Sequence, residues 1–536
     1  MNSSSHAPSA PSAPSAPSAP SAPSRRTLLT AAGAVAVLAP LSFTGRAAAD
    51  PGASGDTETR TLTGRFEIGA PDFAEIPVEV PRGVSRLHVA YSYSSPEVPD
   101  GTPGNALDIG IFDQNGTKLG GRGFRGWSGG FRTEFFLSRA EATPGYLAGD
   151  IDEGTWNVLL APYQVAPQGM DYEVVVTLTY GDAEEADEPQ YPPLQAPGRG
   201  RDWYRGDAHL HTVHSDGKYT PEQVATAARE AGLDFIVSTD HNTTSSHGVW
   251  GPLAGDDLLI LTGEEVTTRH GHWLALGMPA GELVEWRYRN RDDEFDRYRK
   301  QVQKTDALAV SAHLYCPWIG CEWKFGLEDL DATEVWTGPW GWDDETAVST
   351  WANLLAESAR GKGGKRGGTG SWLPAMGNSD AHSPGDSVGS PHNVVLADGL
   401  SRDALLAGIR AGRSWLAESA DIDLSLLASA GGAEAGIGDR LDVDRDETIT
   451  VTLEVAGVPD GTVRLLTDQG QLLQTVLAGD GRGTITWTTA AEVSAFVRAE
   501  VRHPLEDGSA GGTTMGPTAG FGAMAALTNP IWLGAL

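Results

Sequence analysis

Cysteine is almost absent from this chain: Cys316 and Cys321 are the only two among 536 residues. A thiolate zinc site of the C-x2-C type needs a second pair, so none can form. The two thiols suit either a short-loop disulfide or separate burial, and their spacing does not choose between these. Basic residues are also scarce. Thirty-nine Lys and Arg face 71 Asp and Glu, a formal net charge of −32. Such a field repels long polyanions and anionic lipid, so no long nucleic acid is expected as a partner. A small anionic substrate stays open, because metal ions dominate the field inside their own site. No His-Glu-x-x-His helix occurs, which removes a zincin mechanism. The strings 126–130 and 385–389 spell Gly-x-Ser-x-Gly and 121–126 spells Gly-x-Gly-x-x-Gly, but none stands between a predicted strand and a predicted helix start, the setting a nucleophile elbow or a dinucleotide fingerprint needs.

What is present suffices for folded cores. Forty per cent of residues are hydrophobic and 16 are Trp, and the length predicts two or three domains. Residues 1–49 read as a leader. An Ala-Pro-Ser repeat over 7–24 precedes Arg25-Arg26, an apolar stretch to about Phe43, and Ala47-Ala48-Ala49. Twin arginines, a short apolar region and small residues at the end predict a Tat-type signal, with the Tat machinery as export partner and a secreted or cell-envelope location. The apolar stretch is too short to span a bilayer, so no stable membrane insertion is expected once the signal is removed.

Three folded regions follow. Residues 58–182 alternate apolar and polar residues, as at Leu87, Val89 and Tyr91, and carry Asn115-Gly116 as a hairpin signal; a β-sandwich is expected. Residues 183–202 are an acidic, proline-bearing linker. From 203 to 420 short apolar strands alternate with helices. Thr220-Pro221-Glu222-Gln223 predicts one helix start by a capping box, and Gly232 its stop. The alternation predicts an α/β domain with a mostly parallel sheet, closed into a barrel of about seven strands. Residues 421–536 return to strands, a C-terminal β-domain packed on the barrel.

Six of the 13 histidines fall at predicted strand ends of the middle region. His209 and His211 form an H-x-H pair, and a period of two puts both imidazoles on one face. Asp216 follows in Ser215-Asp216-Gly217. Further along come Thr239-Asp240-His241, Gly263-Glu264-Glu265, Gly271-His272, His313 and Asn378-Ser379-Asp380-Ala381-His382. In a βα barrel such ends converge on one rim. Imidazole and carboxylate donors suit Zn, Mn or Fe(II), and there are too many for one tetrahedral ion.

These motifs resemble, in order and in type, the PHP (polymerase and histidinol phosphatase) superfamily over roughly 203–420. The export signal, the flanking β-domains and Glu265-Val266-Thr267-Thr268 leading to Gly271-His272-Trp273 look closest to its carbaryl (carbamate ester) hydrolase branch. The resemblance implies a distorted (β/α)7 barrel, here flanked by N- and C-terminal β-sandwich-like domains, holding two or three divalent ions of Mn, Zn or Fe. It implies that His209, His211, Glu265 and Asp380 bind one ion. Glu265 would bridge to a second held by His272 and His313, and Asp216, His241 and His382 would hold a third. Catalytic roles would fall to Asp380, His241 and Glu265. Glu264 competes with Glu265 for the bridging place, although the Gly-x-Glu spacing favours Glu265.

The implied activity is hydrolysis of a small-molecule ester by metal-activated water. Phosphoesters, including nucleotides, lead; carboxylic or carbamic esters are the alternative, and a non-catalytic metal-containing binding protein of the cell envelope is a third reading. Two signals are set apart. The run Gly361–Gly370 lacks the ending of a phosphate-binding loop and reads as a surface loop. Trp318, Trp323, Trp336, Trp340 and Trp342 either pack between domains or wall an aryl pocket.

Overall fold

The computed structural model describes residues 56–361, 372–505 and 522–535. The expected leader, residues 1–49, and residues 362–370 of the glycine-rich run lie outside these. Strands β1 (Thr57–Phe66), β2 (Ala74–Val80), β3 (Val84–Tyr93), β4 (Ala106–Phe112), β5 (Phe124–Gly129), β6 (Glu134–Ser138), β7 (Gly154–Gln164) and β8 (Met170–Tyr180) form two antiparallel sheets, ordered β1-β8-β3-β6 and β2-β7-β4-β5. Alternation in β3 (Val84–Tyr93) buries Leu87, Val89 and Tyr91 between them. The Asn115-Gly116 turn is present, with Gly116 at φ +86°, but the returning strand is β5 (Phe124–Gly129) rather than residues 118–119.

The sheet β2-β7-β4-β5 is covered on both faces. In β4 (Ala106–Phe112), Leu107, Ile109 and Ile111 enter the sandwich core, while Phe112 joins a second core shared with the next region. In β7 (Gly154–Gln164) Val158 and Leu160 face the sandwich, and Leu159 and Ala161 face outward into that second core. Trp127 and Phe124 there meet Trp286, each with ring centroids 5.4 Å apart.

The central sheet runs β15-β14-β13-β12-β11-β10-β9 and continues through β16 and β17. Its strands are β9 (Asp202–Asp207), β10 (Phe235–Ser238), β11 (Leu259–Thr268), β12 (Gly271–Leu276), β13 (Leu308–Ser311), β14 (Ala332–Thr337), β15 (Ala375–Asn378), β16 (His392–Ala397) and β17 (Ser414–Ala417). It curls until the chain beyond β9 meets the chain beyond β15, at a parallel bridge between Leu210 and Ala381. The side chain of Asn393 helps hold this closure, donating to the Gly377 carbonyl (2.8 Å) and to Asn378 Oδ1 (2.8 Å).

The helix-strand alternation is less regular than expected. Four α-helices occur among the described residues: α1 (Pro221–Glu230), α2 (Glu294–Gln303), α3 (Trp342–Ala359) and α4 (Arg402–Arg410). The α1 start is the capping box, Thr220 Oγ1 accepting from Gln223 N and Gln223 Oε1 from Thr220 N. Strands β11 and β12 are joined by Arg269-His270 alone, with Thr268 paired to Gly271, so β12 runs antiparallel to both neighbours. Gly271 at φ +114° permits that turn, and no crossover helix fits in two residues.

The C-terminal strands are hydrogen-bonded into the same sheet and not merely packed on it. β26 (Met524–Thr528) pairs with β17, and β25 (Phe496–Arg502), β22 (Thr462–Thr467) and β23 (Gly470–Val476) follow. Strands β18 (Asp423–Ala430), β19 (Ala433–Gly436), β21 (Ile449–Ala456) and β24 (Gly483–Thr489) form a separate sheet, ordered β19-β18-β21-β24, which packs on this arm over a largely aliphatic core.

Candidate metal centre

The nine side chains singled out in the sequence meet at the rim of the curled sheet. Glu265 stands at the middle of them, fully buried and well inside β11 rather than at its end. Its Oε2 lies 3.1 Å from His209 Nε2, 3.2 Å from His211 Nε2 and 3.0 Å from His241 Nδ1. Its Oε1 lies 2.8 Å from His272 Nδ1 and 3.0 Å from His313 Nε2. Asp380 Oδ1 approaches His209 Nε2 (3.2 Å) and His211 Nε2 (3.0 Å) from the other side. Asp216 Oδ1 faces His382 Nε2 at 3.3 Å and His241 Nε2 at 3.5 Å.

Local structure explains these positions. The H-x-H pair continues β9, so both imidazoles fall on one face. The antiparallel hairpin sets His272 opposite Thr267, two residues from Glu265, which is how a short sequence gap still brings them together. Glu264 points to the other side of β11, where Oε2 accepts from Val284 N at 2.8 Å, so it takes no part. Gly217 packs where a Cβ would lie 2.6 Å from the His211 carbonyl carbon, which lets the Asp216 turn close on the H-x-H backbone. Asn242, His313 and Asp380 have φ of 50°, 23° and 51°. Left-handed non-glycine residues cost energy and gather where a site constrains the chain.

A second layer aims the imidazoles. His209 Nδ1 donates to Glu334 Oε1 (3.2 Å), and Glu334 is itself held by Asn378 Nδ2 (2.8 Å) and the His313 amide (2.8 Å). That bond leaves His209 Nε2 free to face the cluster. His382 Nδ1 donates to the Asp380 carbonyl (2.7 Å), and His241 Nδ1 lies 2.5 Å from Thr267 Oγ1. Glu334, Thr267 and Asp240, which takes Thr212 and Ser215 hydroxyls, escaped the sequence reading. Asp240 and Thr267 stood inside the quoted motifs without a role, and Glu334 left its trace as an acid inside the apolar strand Thr333–Trp336.

Electrostatics follow the pairing. Burial opposes charge on every group, yet the imidazoles hold the Asp380 and Glu265 carboxyls well below the ordinary carboxylate range. Burial likewise disfavours the His241 imidazolium, but Glu265 and Asp216 outweigh it and lift His241 to about 9. The donors fit a divalent cation on one decisive point. His209 Nε2, His211 Nε2, Glu265 Oε2 and Asp380 Oδ1 are buried and form no aligned hydrogen bond, although each of the two nitrogens lies 3.0–3.2 Å from both oxygens and all four fall within 4.8 Å of one another. Buried polar atoms left this way are costly, and a cation among them removes the cost. Two further groups of donors could hold ions: His211 with Asp216, His241 and His382, and Glu265 with His241 and His272. Cys321 lies 3.4 Å from His313 Nδ1 but is bonded to Cys316, which settles the cysteines as a disulfide.

The cluster forms the floor of a cavity of about 610 Å³. Of the five clustered tryptophans, only Trp318 lines it. Trp323 packs against Phe295 and Phe325, Trp336 against Trp340, and Trp340 donates to Glu345 Oε1, so these serve packing. The aromatic wall comes instead from Phe73, Trp127, Phe131 and Tyr163 of the sandwich, with Trp286.

Comparison with known proteins gives partial likenesses. Residues 372–414, from the start of β15 through α4, match the family model of PHP-associated sequences. No curated relative matches the chain. Among solved structures, it is similar to a two-domain protein from Bacteroides vulgatus containing a predicted PHP-like metal-dependent phosphoesterase. The identity is 16%, over 60% of this chain and 95% of that one, with a TM-score of 0.32. It is also similar to an amidohydrolase from Chromobacterium violaceum, 19% identical over 34% of this chain and 89% of that one, with a TM-score of 0.24. Likenesses this partial leave the functional argument to the site itself.

Proposed function

We propose that this chain is a metal-dependent hydrolase of the PHP type that cleaves ester bonds of small molecules, phosphoesters first among them. The observation that carries the reading is the set of four buried, unmatched donor atoms on His209, His211, Glu265 and Asp380. On this reading these four hold one ion. Glu265 Oε1 with His272 and His313 holds a second, and Asp216, His241 and His382 a third. The curled sheet is then a distorted (β/α)7 barrel with some crossover helices lost. Divalent ions bound there would lower the pKa of a water and stabilise negative charge developing on the ester.

The chain's own residues do the rest. Glu334 fixes the His209 tautomer through Nδ1. Asp380, about a quarter exposed, reaches the cavity with its ionised carboxyl and can accept a proton from an attacking water. The sandwich supplies part of the cavity wall above the rim, through Phe73, Trp127, Phe131 and Tyr163. A second reading, a carboxylic or carbamic ester hydrolase akin to the carbaryl branch, draws on the lining. The cavity wall is aromatic, and its arginine, Arg269, is already engaged by Asp72 at 3.8 Å. The leader fits Tat export of the folded enzyme, which cell fractionation of a Tat-deficient host checks.

The deciding experiment measures initial rates of protein reconstituted with Mn, Zn or Fe(II) on matched nitrophenyl phosphate, phosphodiester, acetate and carbamate. Chelator-sensitive turnover of the phosphorus esters is the expected result, and a preference for carbonyl esters moves the assignment to the second reading. Metal uptake without any turnover overturns both and leaves a binding protein.

A further inference from the structure

The wall of the cavity opposite the metal cluster belongs to the β-sandwich, and it holds a carboxyl that neither the fold nor the chemistry of the cluster uses. Asp108 lies on β4 between Leu107 and Ile109, which enter the sandwich core. Strand alternation therefore turns it outward, toward the central sheet, and it lines the cavity. Its neighbours on that side are apolar: Trp127, Phe131 and Ala161, with Tyr163 beside them. Among the described residues its carboxyl accepts no hydrogen bond. Arg269 is the cation that acts on it, but that guanidinium is committed elsewhere. Arg269 Nη1 lies 3.8 Å from Asp72 Oδ1, both Nη atoms donate to backbone carbonyls at 3.4 Å, and the group sits 4.9 Å over the Tyr163 ring. Burial, only partly offset by Arg269, pushes Asp108 up to about 7.

A partner-seeking carboxyl in an aromatic wall is a costly feature unless a ligand completes it. We propose that Asp108 is a substrate-recognition residue whose carboxyl takes a hydrogen-bond-donating group, an amine or hydroxyl, on the end of the substrate remote from the bond cleaved. The aromatic side chains around it would hold the body of that substrate, an aryl or similarly flat apolar group, while the ester sits over the histidine cluster. The inference rests on the reading of the cluster as the hydrolytic centre. It adds to that reading the class of leaving group and the element that selects it.

The test compares 4-(aminomethyl)phenol with 4-ethylphenol, which have nearly the same shape and differ in the terminal donor. Both are titrated into manganese-reconstituted protein and followed by fluorescence of Trp127, Trp286 and Trp318, which line the cavity. Wild type is expected to favour the amine by about tenfold in Kd, as a charge-assisted hydrogen bond allows. Asp108→Asn should reduce that preference and Asp108→Leu abolish it. Near-UV circular dichroism verifies the fold of each variant, and removing a half-buried carboxyl that accepts no hydrogen bond from the protein should not lower its Tm. An equal preference in wild type and Asp108→Leu overturns the proposal even if esters are hydrolysed. If no ester is hydrolysed but the preference still follows Asp108, the hydrolase reading falls and the recognition site stands.

Discussion

Stripping the protein with a chelator and then titrating Mn or Zn into it should raise its Tm by an amount the site itself bounds. Four buried donor atoms lack a hydrogen-bond partner, those of His209, His211, Glu265 and Asp380. At about 1–3 kcal/mol for each unmatched group, the metal-free site carries roughly 4–12 kcal/mol of uncompensated cost. Binding returns RT ln(1 + [L]/Kd) of stability, about 4 kcal/mol at a thousandfold excess over Kd. For a cooperative unit the size of the central region, each kcal/mol shifts Tm by about 2–4 °C, so a rise of roughly 8–16 °C is expected. Differential scanning fluorimetry with metal analysis by mass spectrometry measures both quantities. Glu265→Gln replaces the one carboxylate that faces five imidazoles by a neutral amide. It should bind at least one ion fewer and lose most of the shift. His503→Gln, at the remote pair with Glu418, serves as the control and should keep it. A wild-type Tm indifferent to every metal, or an undiminished shift in Glu265→Gln, would refute the reasoning.

Two further predictions concern stability away from the cluster's donors. His247 is buried, with Nε2 donating to the Gly263 carbonyl (2.9 Å) and Nδ1 accepting from Gly281 N (3.0 Å), so a proton added at Nδ1 would face a donor. Burial depresses it from 6.5 to about 4; its stabilising contribution is complete above 6.5 and is lost as pH falls through that window. At 1.36 kcal/mol per pH unit the difference of 2.5 gives about 3 kcal/mol. Urea unfolding at pH 7.5 and 4 should show that much less pH dependence in His247→Gln than in wild type, and identical slopes contradict it. Arg502, 2% exposed, bonds both carboxylate oxygens of Glu345 on α3 as well as Glu500 Oε2 (3.2 Å), and lies 4.7 Å over the Trp340 ring. Arg502→Met strands a buried carboxylate and should cost about 3–5 kcal/mol in chemical denaturation without changing metal content, and a loss under 1 kcal/mol would discount the pair.

How far the sequence reached depended on the range of the interaction. The capping box at Thr220 and the pairing of His209 with His211 on one face are set by neighbours within a few residues, and both were legible. Glu265 was preferred over Glu264 on the Gly-x-Glu spacing, and strand alternation, which sends adjacent side chains to opposite faces, leaves Glu264 facing Val284 N instead. The hairpin of β11 and β12 was not legible, because Arg269-His270 carries no turn signature and Gly271 alone marks it. Glu334 was missed because its partner His209 is 125 residues distant. The two-faced burial of β7 had left a mark that went unread: Val158-Leu159-Leu160-Ala161 abandons alternation, as a strand covered on both sides does. Of the two readings of the Trp cluster, packing holds for Trp323, Trp336 and Trp340, and only Trp318 lines the cavity.

That division has a physical consequence for how the molecule distributes its tasks. The donor cluster is built by the rim of one curled sheet, and its geometry is enforced by bonds within that sheet, from Glu334 to His209 and from His382 to the Asp380 carbonyl. The opposite wall of the cavity belongs to strands of another sheet, β4, β5 and β7, whose inner faces are fixed by the sandwich core. Most outward side chains of those strands pack into the core shared with the central sheet, but Asp108 and Phe131 do not, and among the described residues no hydrogen bond joins either to the cluster. Those two side chains can therefore change without moving a donor atom. On this architecture, exchange of Asp108 or Phe131 should alter which esters bind while leaving the metal affinity of Glu265 and its histidines as it was.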